Sequence, residues 1–260
     1  HYLALTMGDA AGIGPEIIIK ALAEQRLYER CIPVVIGDRA PLEDAIRFCH
    51  SPLTLNTVQQ PQDARGEYGT VDLIDLGLLR TGDWQYKTVC HTSGEASFQY
   101  IVKGIELAMA RQVDGVVTGP INKEAINLAG HHYSGHTEIF AEYTHTPNYG
   151  MLLLSKTLRV IHVTTHMSMR NACDLIRENP DRVAWAIRLA QEAMEQLGIE
   201  HPRIAVAGLN AHSSENGLFG DEEARSIIPA IAQCRAQGID ADGPVPPDTV
   251  FVKAMAGQYD

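Results

Sequence analysis

HYLALTMGDAAGIGPEIIIKALAEQ, residues 1–25, sets a pattern that the rest of the chain repeats. An apolar run suited to a buried strand breaks at Gly8, and Pro15 then takes the first position of a helical stretch. IPVVIG (32–37) is followed in the same way by a segment starting at Asp38, and DGVVTG (114–119) by a helix from Pro120. LRVIHVTT (158–165) leads into HMSMRNACDLI (166–176), and RIAVAGL (203–209) reads as another buried strand. Strands alternating with helices are the mark of an α/β fold with a largely parallel sheet.

The helices have readable limits. TSGEASFQYIVKGIELAMARQ (92–112) opens with a capping box, Thr92 and Glu95, and places Phe98, Ile101, Val102, Ile105, Ala108 and Met109 on one face. PDRVAWAIRLAQEAMEQL (180–197) is bounded by Asn179 and Gly198. DEEARSIIPAIAQCRAQ (221–237) contains Pro229, where a kink or break is expected. No repeat, low-complexity tract or linker shows, so composition reveals no domain boundary.

With 260 residues and 45% hydrophobic content, the chain buries a large core as one domain or as two lobes. A net charge of −11 argues against a phosphate-backbone partner, so nucleic acid is not expected. Cys31, Cys49, Cys90, Cys173 and Cys234 are scattered and form no C-x-x-C pair, and they read as reduced thiols. No apolar run approaches the ~20 residues that span a bilayer, and no leader opens the chain. The reading is cytoplasmic. The chain starts without methionine and stops at GQYD where a strand is expected to begin, so both ends are read as cut.

In open α/β sheets ligands collect beyond the carboxyl ends of strands, which directs attention to the turns there. MGDAAGIGPE (7–16) could cradle an anion at a helix N-terminus, but it fits neither G-x-G-x-x-G nor the P-loop, and a plain tight turn explains it too. TGPINK (118–123) puts Lys123 in a first helical turn, where a cation opposes the helix dipole at a few tenths of a kcal/mol. An anionic ligand would offset that, and a solvated lysine is the plain alternative. His166 in VTTHMSMR (163–170) and His212 in GLNAHSSENGLFG (208–220) lie past two strands, where imidazoles either converge on a metal ion or serve as polar loop residues. In HHYSGHTEIF (131–140), Thr137 suits a helix cap and Glu138 a first turn, His131 and His132 are expected to be exposed beyond Gly130, and His136 stays unexplained.

Together these turns resemble the 4-hydroxythreonine-4-phosphate dehydrogenase (PdxA) family. The matching stretches are GDAAGIGPE, VTGPINKEAIN, SGHTEIFAE, RVIHVTTHMSMR, RIAVAGLNAHSSENGLFG with EEARSIIPAI, and GPVPPDTVF. The resemblance implies two α/β lobes like those of isocitrate and isopropylmalate dehydrogenases, with the active site in the cleft between them and a homodimer sharing its active sites. The lobes are expected at residues 1–130 and 131–260. It implies that His136 and Thr137, with Lys123 as a candidate beside them, bind the phosphorylated substrate. His166 and His212 would ligate a divalent metal (zinc, magnesium, manganese or cobalt), and Asp248 in PPDT matches an acid near the substrate, for which we infer a role as proton acceptor. NAD would accept the hydride, through residues that the motifs do not identify, and the product β-keto acid would lose carbon dioxide. A third metal-binding histidine and the nicotinamide contacts are expected beyond Asp260.

Departures from the family pattern bear on the substrate. The pyridoxine-pathway enzymes have a histidine where this chain has Asn122, and NPHAGEGG where it has NAHSSENG (210–217). These variants resemble the branch acting on D-threonate or D-erythronate 4-phosphate, with 4-hydroxy-L-threonine 4-phosphate as the alternative substrate. Two other classes stay open: a phosphate acyltransferase of related fold, and a non-catalytic phosphate-binding module.

Overall fold

The first strand runs where its apolar residues place it, β1 at Tyr2–Thr6, and the helix after the glycine turn is α1, Gly14–Leu22. The computed structural model describes residues 1–179 and 181–260, and its contacts gather into two compact units, His1–Pro147 and Asn148–Asp260. In the first unit there follow β2 (Ile32–Gly37), α2 (Arg39–Phe48), β3 (Thr54–Thr57), β4 (Thr70–Asp75), α3 (His91–Met109), β5 (Gly115–Thr118), α4 (Lys123–Leu128) and α5 (His136–Tyr143). The five strands make one parallel sheet in the order β3-β4-β2-β1-β5. Val34, Val35, Ile36 and Leu73 are sealed from solvent, as strands covered on both faces require.

β3 and β4 escape the apolar-run reading because TLNT and TVDLID carry polar residues. Asp72 is buried in β4 and is tolerated there because Asn56 Nδ2 and the Gly66 amide donate to it at 2.7 and 2.9 Å. Asp38 is buried likewise, accepting the Leu78 and Leu79 amides and the Tyr100 hydroxyl.

α3 begins at His91, with Cys90 as its extended N-cap, and the expected capping box does not form. The Thr92 hydroxyl donates to the Asp83 carbonyl instead, and Glu95 pairs with Gln99 and His131. Phe98, Ile101 and Ile105 do form a buried face, while Met109 at the helix end is exposed. Ile126 of α4 and Ile139 of α5 pack on that face. α5, bound to α3 in this way, falls within the first compact unit, which ends at Pro147.

The second unit holds β6 (Leu152–Leu154) and β7 (Arg159–Ile161) as an antiparallel pair, then α6 (Met169–Glu178), α7 (Asp181–Gln196), β8 (Ile204–Ala207), α8 (Ile228–Ala236), β9 (Ala241–Val245) and α9 (Pro247–Met255). β8 and β9 pair in parallel. Its core joins Ile176, Val183, Ile187, Val206, Ile227 and Ile231. The expected start of α7 at Pro180 lies outside the described residues. Near Pro229 the helical segment changes type: a π-helical turn, Glu223–Ile227, gives way to α8, and Pro229 sits in the first turn of α8, where a missing N–H costs little. All five cysteines are free. Among the described residues no helix is long and apolar enough to cross a membrane.

The ends of β1 and β5 lie side by side, with Thr6 opposite Thr118. The Gly119 amide donates to Thr6 O at 2.8 Å and the Asp9 amide to Pro120 O at 2.9 Å, so the two turns interlock through their backbones, with Thr6 Oγ1 also accepting from Gly119 at 3.3 Å. Gly8 has φ +77°, and a Cβ there would stand 2.4 Å from Pro120 O. Gly8→Ala is expected to cost roughly 1–2 kcal/mol in backbone strain plus about 1–3 kcal/mol in crowding. Gly69, at φ +93° with nothing within 4 Å of an added Cβ, isolates the backbone part. Urea midpoints of the two alanine variants measure the difference, and equal losses would show that the interlock is not tight.

Candidate active site

In the first unit the interlocked turns carry the polar groups that the motifs singled out. α4 starts at Lys123 and not at Pro120, because Asn122 is its cap, accepting the Ala125 amide at 3.1 Å. Lys123 is exposed, and its stem lies against Gly135, where an added Cβ would be 3.9 Å from Lys123 Cε. α5 starts at His136 with Gly135 as the preceding residue, so Thr137 lies inside the first turn and is not a cap, while Glu138 occupies that turn as expected.

His136 is half-buried and its Nε2 has no hydrogen-bond partner. Such an atom costs ~1–3 kcal/mol unless something donates to it or accepts from it. Burial lowers the pKa of the ring below 6.5, a hydrogen bond with the Gly119 backbone works against that, and Lys123 adds to the lowering. The ring is neutral at neutral pH, beside a free ammonium group, with one nitrogen uncommitted. The neighbouring His131 departs from expectation: it stacks on Phe98 at 3.6 Å between centroids and meets Glu95 at 2.7 Å, so it is structural, whereas His132 is exposed.

In the second unit β7 ends at Ile161, so His166 lies well past the strand, in the connection to α6. It is exposed and has φ +54°. His50, Arg111 and His145 also have positive φ, but each sits just past a helix C-terminus, where that conformation is a normal stop. His166 has no such reason, and neither has Lys87, at φ +63° in the loop before α3. Arg170 is exposed in the first turn of α6.

His212 belongs to a rarer feature. His212, Ser213, Ser214, Glu215 and Asn216 all have positive φ, forming a left-handed turn without glycine after β8. Each such residue costs roughly 1–2 kcal/mol, so surrounding bonds must over-determine the turn. They converge on Glu223, a buried carboxylate at the start of the π-helical turn. Glu223 Oε1 accepts the Leu209 and Asn210 amides at 2.8 and 2.7 Å, and Oε2 accepts Asn210 Nδ2 at 2.9 Å and the Ser214 hydroxyl. Burial pushes this carboxyl up, but the Ser214 and Asn210 bonds overcome that and hold it below the usual range. The turn presents His212 Nδ1 3.4 Å from Asp248 Oδ2, in the first turn of α9.

The contacts therefore join His212 to Asp248 in one unit and His136 to Lys123 in the other. An imidazole beside a carboxylate is a donor set suited to a divalent ion. Among the described residues, however, no three His, Cys, Asp or Glu side chains gather closely enough to hold one. The fit to a metal is incomplete, and no chemical step below is routed through it.

Glycine turns at the carboxyl ends of parallel strands are where α/β enzymes place their ligands, and an uncommitted imidazole beside a lysine is suited to an anion. Residues 29–260 match the family model described as pyridoxal phosphate biosynthetic protein PdxA. A D-threonate 4-phosphate dehydrogenase of Cupriavidus necator is 44% identical, over 99% of this chain and 77% of that one. Crystal structures of 4-hydroxythreonine-4-phosphate dehydrogenases from Klebsiella pneumoniae and Burkholderia phymatum superpose with TM-scores of 0.90 and 0.85, at 42% and 41% identity, over 100% of this chain and 78% of each. The chain belongs to the PdxA family and is a dehydrogenase.

The depressed His136 pKa has a testable sign. Unfolding restores the ordinary value of 6.5 and lets the ring bind a proton. The stability due to neutral His136 is therefore complete above pH 6.5 and is lost as pH falls from there toward the folded value. Urea denaturation between pH 7.5 and 5.5 should show that loss, and His136→Asn should flatten it. An unchanged slope in the variant would place the proton uptake elsewhere.

Proposed function

We propose that the protein oxidises the secondary alcohol of a four-carbon phosphorylated hydroxy acid, D-threonate 4-phosphate or D-erythronate 4-phosphate, with subsequent loss of carbon dioxide. The observation that carries the reading is the unpartnered Nε2 of His136 beside Lys123, at a strand-end turn of a chain in a dehydrogenase family. Asn122 and the NAHSSENG loop favour the sugar-acid substrates, as does the relative described as acting on D-threonate 4-phosphate.

The roles follow from the side chains. The Lys123 ammonium draws the phosphate by charge, and His136 Nε2 and the Thr137 hydroxyl accept or donate its hydrogen bonds. Asp248 takes the proton of the reacting hydroxyl, and His212 beside it orients that carboxylate. A bound NAD would supply the hydride acceptor for the same carbon, which would turn the alcohol into a ketone. The ketone would lie β to the carboxylate, so the electrons of the carboxylate–carbon bond would pass to the ketone oxygen as carbon dioxide leaves, and the resulting enolate would take a proton from solvent.

A divalent ion is proposed as a further requirement, supported by the imidazoles of His166 and His212 and by the positive φ of both. A cytoplasmic homodimer with shared sites completes the proposal, on the strength of the family resemblance. 4-Hydroxy-L-threonine 4-phosphate is the second reading, favoured by the description of the superposed crystal structures.

NADH absorbance with the three acid phosphates, with and without a chelator, tests the reading. Turnover is expected to be highest with a sugar-acid phosphate and to vanish on chelation. Preference for the amino acid substrate would reassign the branch, and turnover that survives chelation would remove the metal. Asp248→Asn should lower kcat by about 10²–10⁴-fold, the range of general acid–base catalysis. His136→Ala should mainly raise KM, by roughly 10-fold or more, as loss of a hydrogen bond to a charged group implies.

A further inference from the structure

Glu223 touches neither His212 nor Asp248 in any contact of the structure, yet the geometry of both depends on it. The five residues from His212 to Asn216 keep positive φ although none is glycine. The bonds that close the turn are local: the Ser213 amide to Asn210 O at 3.1 Å, and the Gly217 and Phe219 amides to Ser214 O at 3.0 and 3.2 Å. Both anchor residues, Asn210 and Ser214, are in turn held by the same carboxylate, with Asn210 Nδ2 also donating to Glu222 at 2.8 Å.

Glu223 reaches them from within the core. It is 3% exposed and lies on the buried side of its helical segment with Ile227, Ala230, Ile231 and Cys234. Its segment is π-helical, a wider turn than the α-helix that follows. A carboxylate in an apolar core is costly unless every oxygen is occupied, and here donors from Leu209, Asn210 and Ser214 occupy both. Asn210 and Ser214 bracket the left-handed residues His212 and Ser213, so fixing both ends of that interval fixes the direction in which His212 projects.

We infer that Glu223 is a positioning residue of the active site: its buried carboxylate holds the 211–216 turn left-handed and so keeps the His212 imidazole against Asp248. The inference rests on the proposed roles of His212 and Asp248 and adds the group that sets their geometry. A displacement of about 1 Å at a reacting group is enough for losses on the order of 100-fold.

Glu223→Gln and Ser214→Ala in the full protein test it. Amide exchange across residues 209–217 and the His212 ring resonances are followed by NMR, and kcat and KM are measured with D-threonate 4-phosphate. In Glu223→Gln the Leu209, Asn210 and turn amides should exchange at least tenfold faster while those of the first unit's sheet do not change. The His212 resonances should shift, and kcat should fall by about 100-fold with KM within twofold. Ser214→Ala, which removes one donor and keeps the carboxylate, should give the same pattern in smaller measure and guards against a variant that does not fold. Lower thermal stability with kcat and His212 resonances unchanged would make Glu223 a structural residue only and overturn the inference. If the wild-type protein turns over none of the acids, the functional reading fails, and exchange with the His212 resonances still decides whether Glu223 holds the turn.

Discussion

The backbone interlock between the turns after β1 and β5 is the constraint on which the first unit's chemistry rests. Gly8 and Gly119 allow main chains to approach where any Cβ would collide, and the Asp9–Pro120 and Gly119–Thr6 hydrogen bonds then lock the approach. Everything that could meet a phosphate follows from that contact. Asn122 caps α4 directly after it, Lys123 follows the cap, and α5 brings His136 back to the Gly119 backbone. Side chains need only project from turns whose position the sheet register has already decided.

The two units approach the problem of polar groups differently. In the first, a neutral ring with an open nitrogen is left beside a cation, so an arriving phosphate dianion would satisfy the nitrogen, offset the charge and favour protonation of the ring. In the second, the imidazole and carboxylate are largely exposed and owe their placement to a buried carboxylate elsewhere. The protein as a whole carries −11, so attraction of an anionic substrate must come from local groups such as Lys123 and not from the overall field.

Legibility in the sequence followed the uniformity of each element. β1 and β2 were plain because strands buried on both faces are unbroken apolar runs, and β5 was plain as a short apolar run although it lies at the sheet edge with Val117 exposed. β3 and β4 were hidden by Asn56 and Asp72, which satisfy one another across the sheet, a pairing that no local window displays. Likewise Thr92 and Glu95 have the spacing of a capping box, but Asp83 and His131 offered them better partners from a distance. His166 and His212 were visible as candidates, but their left-handed backbones were not. Glu223 left a signal of its own: it stands in register with Ile227, Ile231 and Cys234, a carboxylate where the helical pattern asks for an apolar residue. Such a violation of the pattern is the kind expected at functional positions.

The buried clusters also bear on how the molecule comes apart. The cluster built around the parallel sheet and the one on α3 draw only on residues before Pro147, and the cluster around α7 and α8 only on residues after it. Each unit thus has the means to lose its own packing while the other keeps its core. A chain with two separate cores is not bound to melt in one all-or-none transition. A destabilising change beneath the left-handed turn would loosen the groups proposed to handle the proton while leaving the turns proposed to bind phosphate folded. The protein could then retain grip on a ligand after it had lost the ability to react with it.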